Sequence, residues 1–267
     1  LGDVYKRQDS PVANLNPITK ILAILCFGIS ALVWPDFTMG LLIIILLFII
    51  SAIARILRSF TKIMFGFGIP VSIMLFFIQG FFSPRNKRIL LDFGFGALGL
   101  EGVLYAAKII VTVLVFVGSF YIMNKTSYIG LLVASLTSIG LPSKIGYLVL
   151  ASLNVVPQMQ RRMALIRDAQ NSRGLSTGGG LLSRVKALTP LIGPVILSSL
   201  TDAQERGMTL ETRGFGIRGV KRTNFIEVKW SFYDKTLIWG MGFLTLLTVL
   251  FAVFIYIGFL PYWGELL

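Results

Sequence analysis

Asp168-Ala169-Gln170-Asn171-Ser172-Arg173-Gly174 and Glu211-Thr212-Arg213-Gly214 close two helical stretches within one polar, basic segment, residues 124–235. That segment carries 15 of the chain's 25 Lys and Arg and 6 of its 12 Asp and Glu, and it lies between strongly apolar runs on both sides. A basic segment between apolar runs is what the positive-inside tendency leaves on the cytoplasmic face of a membrane protein.

Composition agrees. The chain has 267 residues, of which 55% are hydrophobic and 14% charged, and its mean hydropathy is +0.81. A soluble domain of this length does not need so much apolar surface, so the class is integral membrane protein. The net charge of +13 is accounted for by cytoplasmic loops and anionic lipid, and no nucleic-acid partner is expected. There is no histidine, which removes the commonest general base and the commonest transition-metal ligand. Cys26 is the single cysteine and forms no intrachain disulfide.

Working outward, the expected architecture is an all-α polytopic membrane protein with about five spans and a cytoplasmic helical region inserted before the last. Residues 1–14 are a tail. Residues 1–8, with Asp3-Val4-Tyr5-Lys6-Arg7-Gln8, read like the translation of a sequencing-adapter end or an ordinary polar tail, and are left out of the fold. Residues 15–123 hold spans 1 to 4. Asn16 is placed to cap and Pro17 to open the first helix, which runs from Ile18 to about Trp34. The second span covers Thr38 to Ala54, and Arg55, Arg58 and Lys62 mark the cytoplasmic turn after it. The third covers Ile63 to Phe82 and contains Pro70, which predicts a kink or close packing. Ser83 to Glu101 reads as a glycine-loosened outer loop, and Gly102 to Met123 as the fourth span. The last span covers residues 236–258, and the aromatic tail, residues 259–267, anchors it at the interface.

Inside residues 124–235, the apolar runs Ile145–Pro157 and Ala187–Leu200 are short of the ~20 residues a span needs. They read as helices along or just beneath the membrane face, with a re-entrant pair as the alternative. Gln158 to Arg173 is helical, with Met159, Met163 and Ile166 on one face at i, i+4, i+7. Leu181 to Arg213 is a second helical region, bent at its prolines. In Ser172-Arg173-Gly174 and Thr212-Arg213-Gly214 a small residue precedes the arginine and glycine follows it. A cation near the negative end of a helix, with glycine just beyond, is also an ordinary way to stop a helix. Two matched endings in one segment point further, to two matched partners. Arginine's planar fork suits two-point pairing with carboxylate.

No P-loop, Gly-x-Ser-x-Gly elbow or metal-spaced His/Cys/carboxylate cluster occurs, so neither catalysis, cofactor nor metal is expected. Few acidic groups fall within the spans, which argues against a self-contained channel or secondary carrier.

At these residues the segment resembles the coupling region of the transmembrane T component of energy-coupling factor (ECF) transporters, ABC-type importers of vitamins and some transition-metal ions. That family has paired Ala-Arg-Gly-like motifs, where this chain has Ser-Arg-Gly and Thr-Arg-Gly. Leu15-Asn16-Pro17 with Lys20, and Ala203-Gln204-Glu205-Arg206-Gly207-Met208, are also similar. The resemblance implies a non-catalytic scaffold in a prokaryotic plasma membrane. Two ABC ATPase subunits, identical or homologous, would receive Ser172, Arg173, Gly174 and Thr212, Arg213, Gly214. A separate substrate-binding S component would rest on Met159, Met163, Leu188, Leu191 and Val195. Vitamin import is the expected role; a dedicated cobalt or nickel importer is the alternative.

Overall fold

The computed structural model describes residues 10–82, 89–92, 97–174, 181–217 and 230–257, without side chains for 89–92, 97 and 181–188. The expected tail, residues 1–8, and the expected aromatic anchor, residues 259–267, lie outside them. Among the described residues the chain is helical apart from one small antiparallel strand pair and the connecting turns. Its elements are α1 Pro17–Val33, α2 Thr38–Ile53, α3 Leu57–Phe82, β1 Ile89–Asp92, β2 Ala97–Gly99, α4 Leu100–Thr126, α5 Ile129–Ser138, α6 Ser143–Ser172, α7 Leu181–Thr212 and α8 Phe232–Tyr256. Residues 1–135 and 228–267 form one compact unit, and residues 136–227 a second.

Among the described residues, α3, α4 and α8 are long and apolar enough to cross a membrane, with 26, 27 and 25 residues. Helices α1 and α2 are apolar and shorter, 17 and 16 residues, or ~25 Å at 1.5 Å per residue. Apolar side chains such as Leu42, Ile73 and Phe243 stand exposed along α2, α3 and α8, as lipid-facing surfaces require.

The core of the first unit is built around Phe60, which is fully buried with Leu47 and Val115. Its ring meets Phe48 edge-on at 5.0 Å and Tyr121 at 6.3 Å. Helices come close where a side chain is missing. A Cβ on Gly28 would stand 2.2 Å from the Phe116 ring, and one on Gly118 2.1 Å from the Met64 methyl. Without a hydrophobic drive between helices in lipid, such small residues let backbones approach and gain dispersion contact.

Asn16 caps α1 as its sequence predicts: its Oδ1 accepts from the Ile18 N–H at 3.0 Å, with Pro17 in the first turn. Two stretches differ from expectation. The loop after α3 contains a hairpin that pairs Ile89 with Gly99, Leu91 with Leu98 and Asp92 with Ala97. The last span begins at Phe232, not Thr236, because Ser231 and Asp234 form a capping box that starts the helix earlier.

Candidate coupling site

Helix α6 is one helix of 30 residues, with Pro157 inside it. The expected separation of an apolar run from a polar helix is therefore a change of character along a single rod. Its first half exposes Ile145, Leu148 and Val156; its second half carries Arg161, Arg162 and Arg167. Helix α7 has 32 residues and passes through Pro190 and Pro194.

The two rods cross where α6 carries Gln158 to Arg162. Arg162 forms an ion pair with Asp202 and donates to Ser198 Oγ at 3.3 Å. Ser199 Oγ donates to Met159 Sδ at 3.6 Å. Arg206 donates to Gln158 Oε1. Beyond the crossing, Phe215 packs on Tyr147 with ring centroids 5.2 Å apart. The end of α7 thus lies beside the start of α6, while Arg173 stands at its far end. From Tyr147 to Arg173 is about 39 Å of helix.

Both ends are built alike. Arg173 is the residue after the last turn of α6, and Gly174 follows with φ +91°. The Gly174 N–H donates to Asn171 C=O at 3.0 Å. At the second end Gly214 has φ +68°, and its N–H donates to Glu211 C=O at 2.9 Å. The Phe215 N–H then reaches Leu210 C=O at 2.8 Å. These two bonds make a Schellman cap, in which glycine takes the left-handed conformation that a Cβ disfavours. Ser172 Oγ donates back to Asp168 C=O, and Thr212 Oγ1 to Thr209 C=O, so neither hydroxyl is held by a more distant group. Arg173 and Arg213 are exposed, and neither guanidinium has a hydrogen-bond or ion-pair partner among the described residues.

A model of the cobalt transport protein family, CbiQ, matches residues 8–225, which include both arginine ends. This chain belongs to that family. Three relatives align with this chain along most of their length. The energy-coupling factor transporter transmembrane protein EcfT of Lactococcus lactis is 23% identical over 259 residues, 93% of this chain and 96% of that protein. EcfT of Thermanaerovibrio acidaminovorans is 26% identical over 244 residues, 86% and 88%. EcfT of Exiguobacterium sibiricum is 27% identical over 270 residues, 93% and 95%.

The expected apolar contact set is divided by the structure. Met159, Met163 and Val195 are half-buried, and Met159 is engaged by Ser199. Leu191 is 2% exposed, so its side chain is already spent on packing. The side chain of Leu188 lies outside the described residues. A stripe that sequence reading passed over, Ile192, Ile196 and Leu200, is exposed at the i, i+4, i+8 spacing of one face of α7.

Sequence reading also missed a polar node in the first unit. Asp234 is fully buried. Its Oδ1 accepts from the Asn16 N–H and from Thr19 Oγ1, each at 2.9 Å, and its Oδ2 from the Ser231 N–H at 3.0 Å. Lys20, also buried, donates from Nζ to Thr126 C=O at 2.9 Å and to Ser127 Oγ at 3.2 Å. The first turn of α1 therefore ties the end of α4 to the start of α8. The signal available beforehand was Ser231-Phe232-Tyr233-Asp234 ahead of an apolar run, the spacing of a capping box.

Proposed function

We propose that this chain is the T component of an ECF-type importer, a non-catalytic scaffold. It joins two ABC ATPase subunits to a substrate-binding membrane subunit. The observation that carries this reading is the pair of glycine-capped arginines, unpartnered among the described residues and about 33 Å of helix apart, each eleven residues from the Arg162–Asp202 pair on antiparallel rods. One groove cannot hold both, so two receptors are needed. Each receptor supplies a carboxylate for the guanidinium fork.

In this reading the tips face the cytoplasm of a prokaryotic cell and the apolar helices cross its plasma membrane. Closure of the ATPase pair moves α6 and α7 relative to one another, and that motion tilts the substrate-binding subunit. That subunit rests on the half-buried Met159, Met163 and Val195 and on the exposed Ile192, Ile196 and Leu200. ATP hydrolysis belongs to the partners.

The test is Arg173→Ala with Arg213→Ala in the whole complex. Removing one member of a buried ion pair costs about 3–5 kcal/mol, so each ATPase is lost from the purified complex and uptake stops while the variant stays in the membrane. Retention of both ATPases together with undiminished uptake overturns the reading.

The cargo is proposed to be a vitamin, chosen by the separate subunit. The family's description, cobalt transport protein, favours a second reading, a dedicated cobalt or nickel importer. Uptake of labelled vitamins against labelled metal ions in the same cells separates the two.

A further inference from the structure

Between α1, α2, α4 and α8 lies a cavity of about 410 Å³, wholly within the first unit. Its wall is apolar along its depth, with Phe27, Leu47 and Leu244 farthest in and Ser119 as the one deep polar side chain. Its polar end is formed by Thr19, Lys20 and Thr236. The wall runs along α1 from Thr19 to Phe27 and along α8 from Thr236 to Leu244. Eight residues of helix on each side give a depth of about 12 Å. One leaflet of a bilayer is about 15 Å of hydrocarbon, so the cavity is one acyl chain deep and stops near the midplane.

The charge at its mouth is one-sided. Lys20 hydrogen-bonds the end of α4, and Asp234 at the start of α8 accepts from the first turn of α1, so these three helix ends share one level. Around that level the described residues of this unit include Lys20, Arg55, Arg58, Lys62, Lys125 and Lys235, against the single carboxylate of Asp234. Arg55 and Lys235 are exposed, and Lys235 adjoins the lining residue Thr236.

We propose that this cavity is a binding site for one acyl chain of an anionic phospholipid from the leaflet on the Lys20 side. The headgroup sits against the exposed Arg55 and Lys235. The apolar wall supplies the affinity, and the basic rim selects the headgroup. The site stands apart from the arginine tips and does not depend on their role.

The test uses the full-length chain in phosphatidylcholine vesicles. These are doped with either phosphatidylglycerol or phosphatidylcholine that carries a photoactivatable diazirine in its acyl chain, and crosslinks are mapped by mass spectrometry. The phosphatidylglycerol probe is expected to label Leu46 and Met241 about fivefold more than its neutral counterpart. Leu250, exposed farther along α8, takes both probes alike. Gly240 lines the cavity, and a Cβ there meets nothing within 4 Å. Gly240→Leu therefore fills the space without a clash and is expected to abolish labelling of Leu46 while sparing Leu250. Arg55→Gln with Lys235→Gln is expected to remove the headgroup preference alone. Equal labelling by the two probes leaves only bulk lipid at the site and overturns the proposal. So does labelling of Leu46 that survives Gly240→Leu. Absence of labelling at Leu46 shows that protein covers the cavity and overturns it as well.

Discussion

Arg162 of α6 and Asp202 of α7 form an ion pair that stands eleven residues before each arginine tip, from 162 to 173 on one helix and from 202 to 213 on the other. Each tip therefore lies about 16 Å along its own helix from this pair. The two side chains are 27% and 35% exposed, so the pair contributes under about 1 kcal/mol to stability. Its value is geometric, because it fixes where the rods cross. Asp202→Asn is expected to leave the melting temperature of the purified complex nearly unchanged and to retain both ATPases. Uptake per ATP hydrolysed is expected to fall severalfold. A parallel loss of assembly would show that the pair supports the fold and not the joint.

The glycines after the tips are expected to tolerate asparagine better than alanine. Gly174 and Gly214 hold φ of +91° and +68°, and an L residue there costs about 1–2 kcal/mol. Asparagine adopts this conformation more readily. In the purified complex, Gly214→Ala should weaken ATPase binding about tenfold, and Gly214→Asn should recover most of it. Retention of the ATPases on titration with competing free subunits gives the measurement.

Asp234 is expected to be the most sensitive polar position in the membrane unit. Asp234→Ala strands the N–H groups of Asn16 and Ser231 and the hydroxyl of Thr19, at a cost of about 3 kcal/mol or more. Fluorescence-detected gel filtration after heating should show early loss of the monodisperse peak. Lys20→Met releases the end of α4. Combined with Asp234→Asn it should cost less than the sum of the two, because the two positions share a node.

Two glycines of the helix interfaces should respond differently to the same added methyl. At Gly28 the new carbon meets the far end of the Phe116 ring, which is 38% exposed and has room to turn outward. Gly28→Ala should cost under about 1 kcal/mol, partly offset by better helix propensity. At Gly118, itself buried, the new carbon meets the buried Met64 methyl and stands 3.2 Å from Leu47 and 3.3 Å from Phe60, both fully buried. Gly118→Ala should cost about 1–3 kcal/mol. Thermal inactivation of the two variants side by side decides the order.

Local chemistry was legible wherever a short rule was sufficient. Asn16-Pro17 announced the start of α1, Trp34-Pro35 its end, and the glycines after Arg173 and Arg213 the ends of α6 and α7. The hydropathy of α6 misled, because Ile145 to Val156 is apolar and the residues after Pro157 are polar, yet one backbone ladder runs through both. The Asn16–Asp234 contact joins residues 218 apart. No periodicity within a window can report such a pairing, whereas the early start of α8 was legible in the spacing of Ser231 and Asp234. The exposed stripe Ile192, Ile196 and Leu200 was hidden because those side chains follow the same spacing that a buried face would show.

The residues from 136 to 227 form a unit that the chain enters within α5 and leaves before α8, and the clasp of Asn16, Thr19 and Lys20 ties the end of α4 to the start of α8 in the other unit. A flexible bridge from Ser135 to Trp230 should yield a membrane piece that still folds, with both arginine ends removed as one detachable cassette.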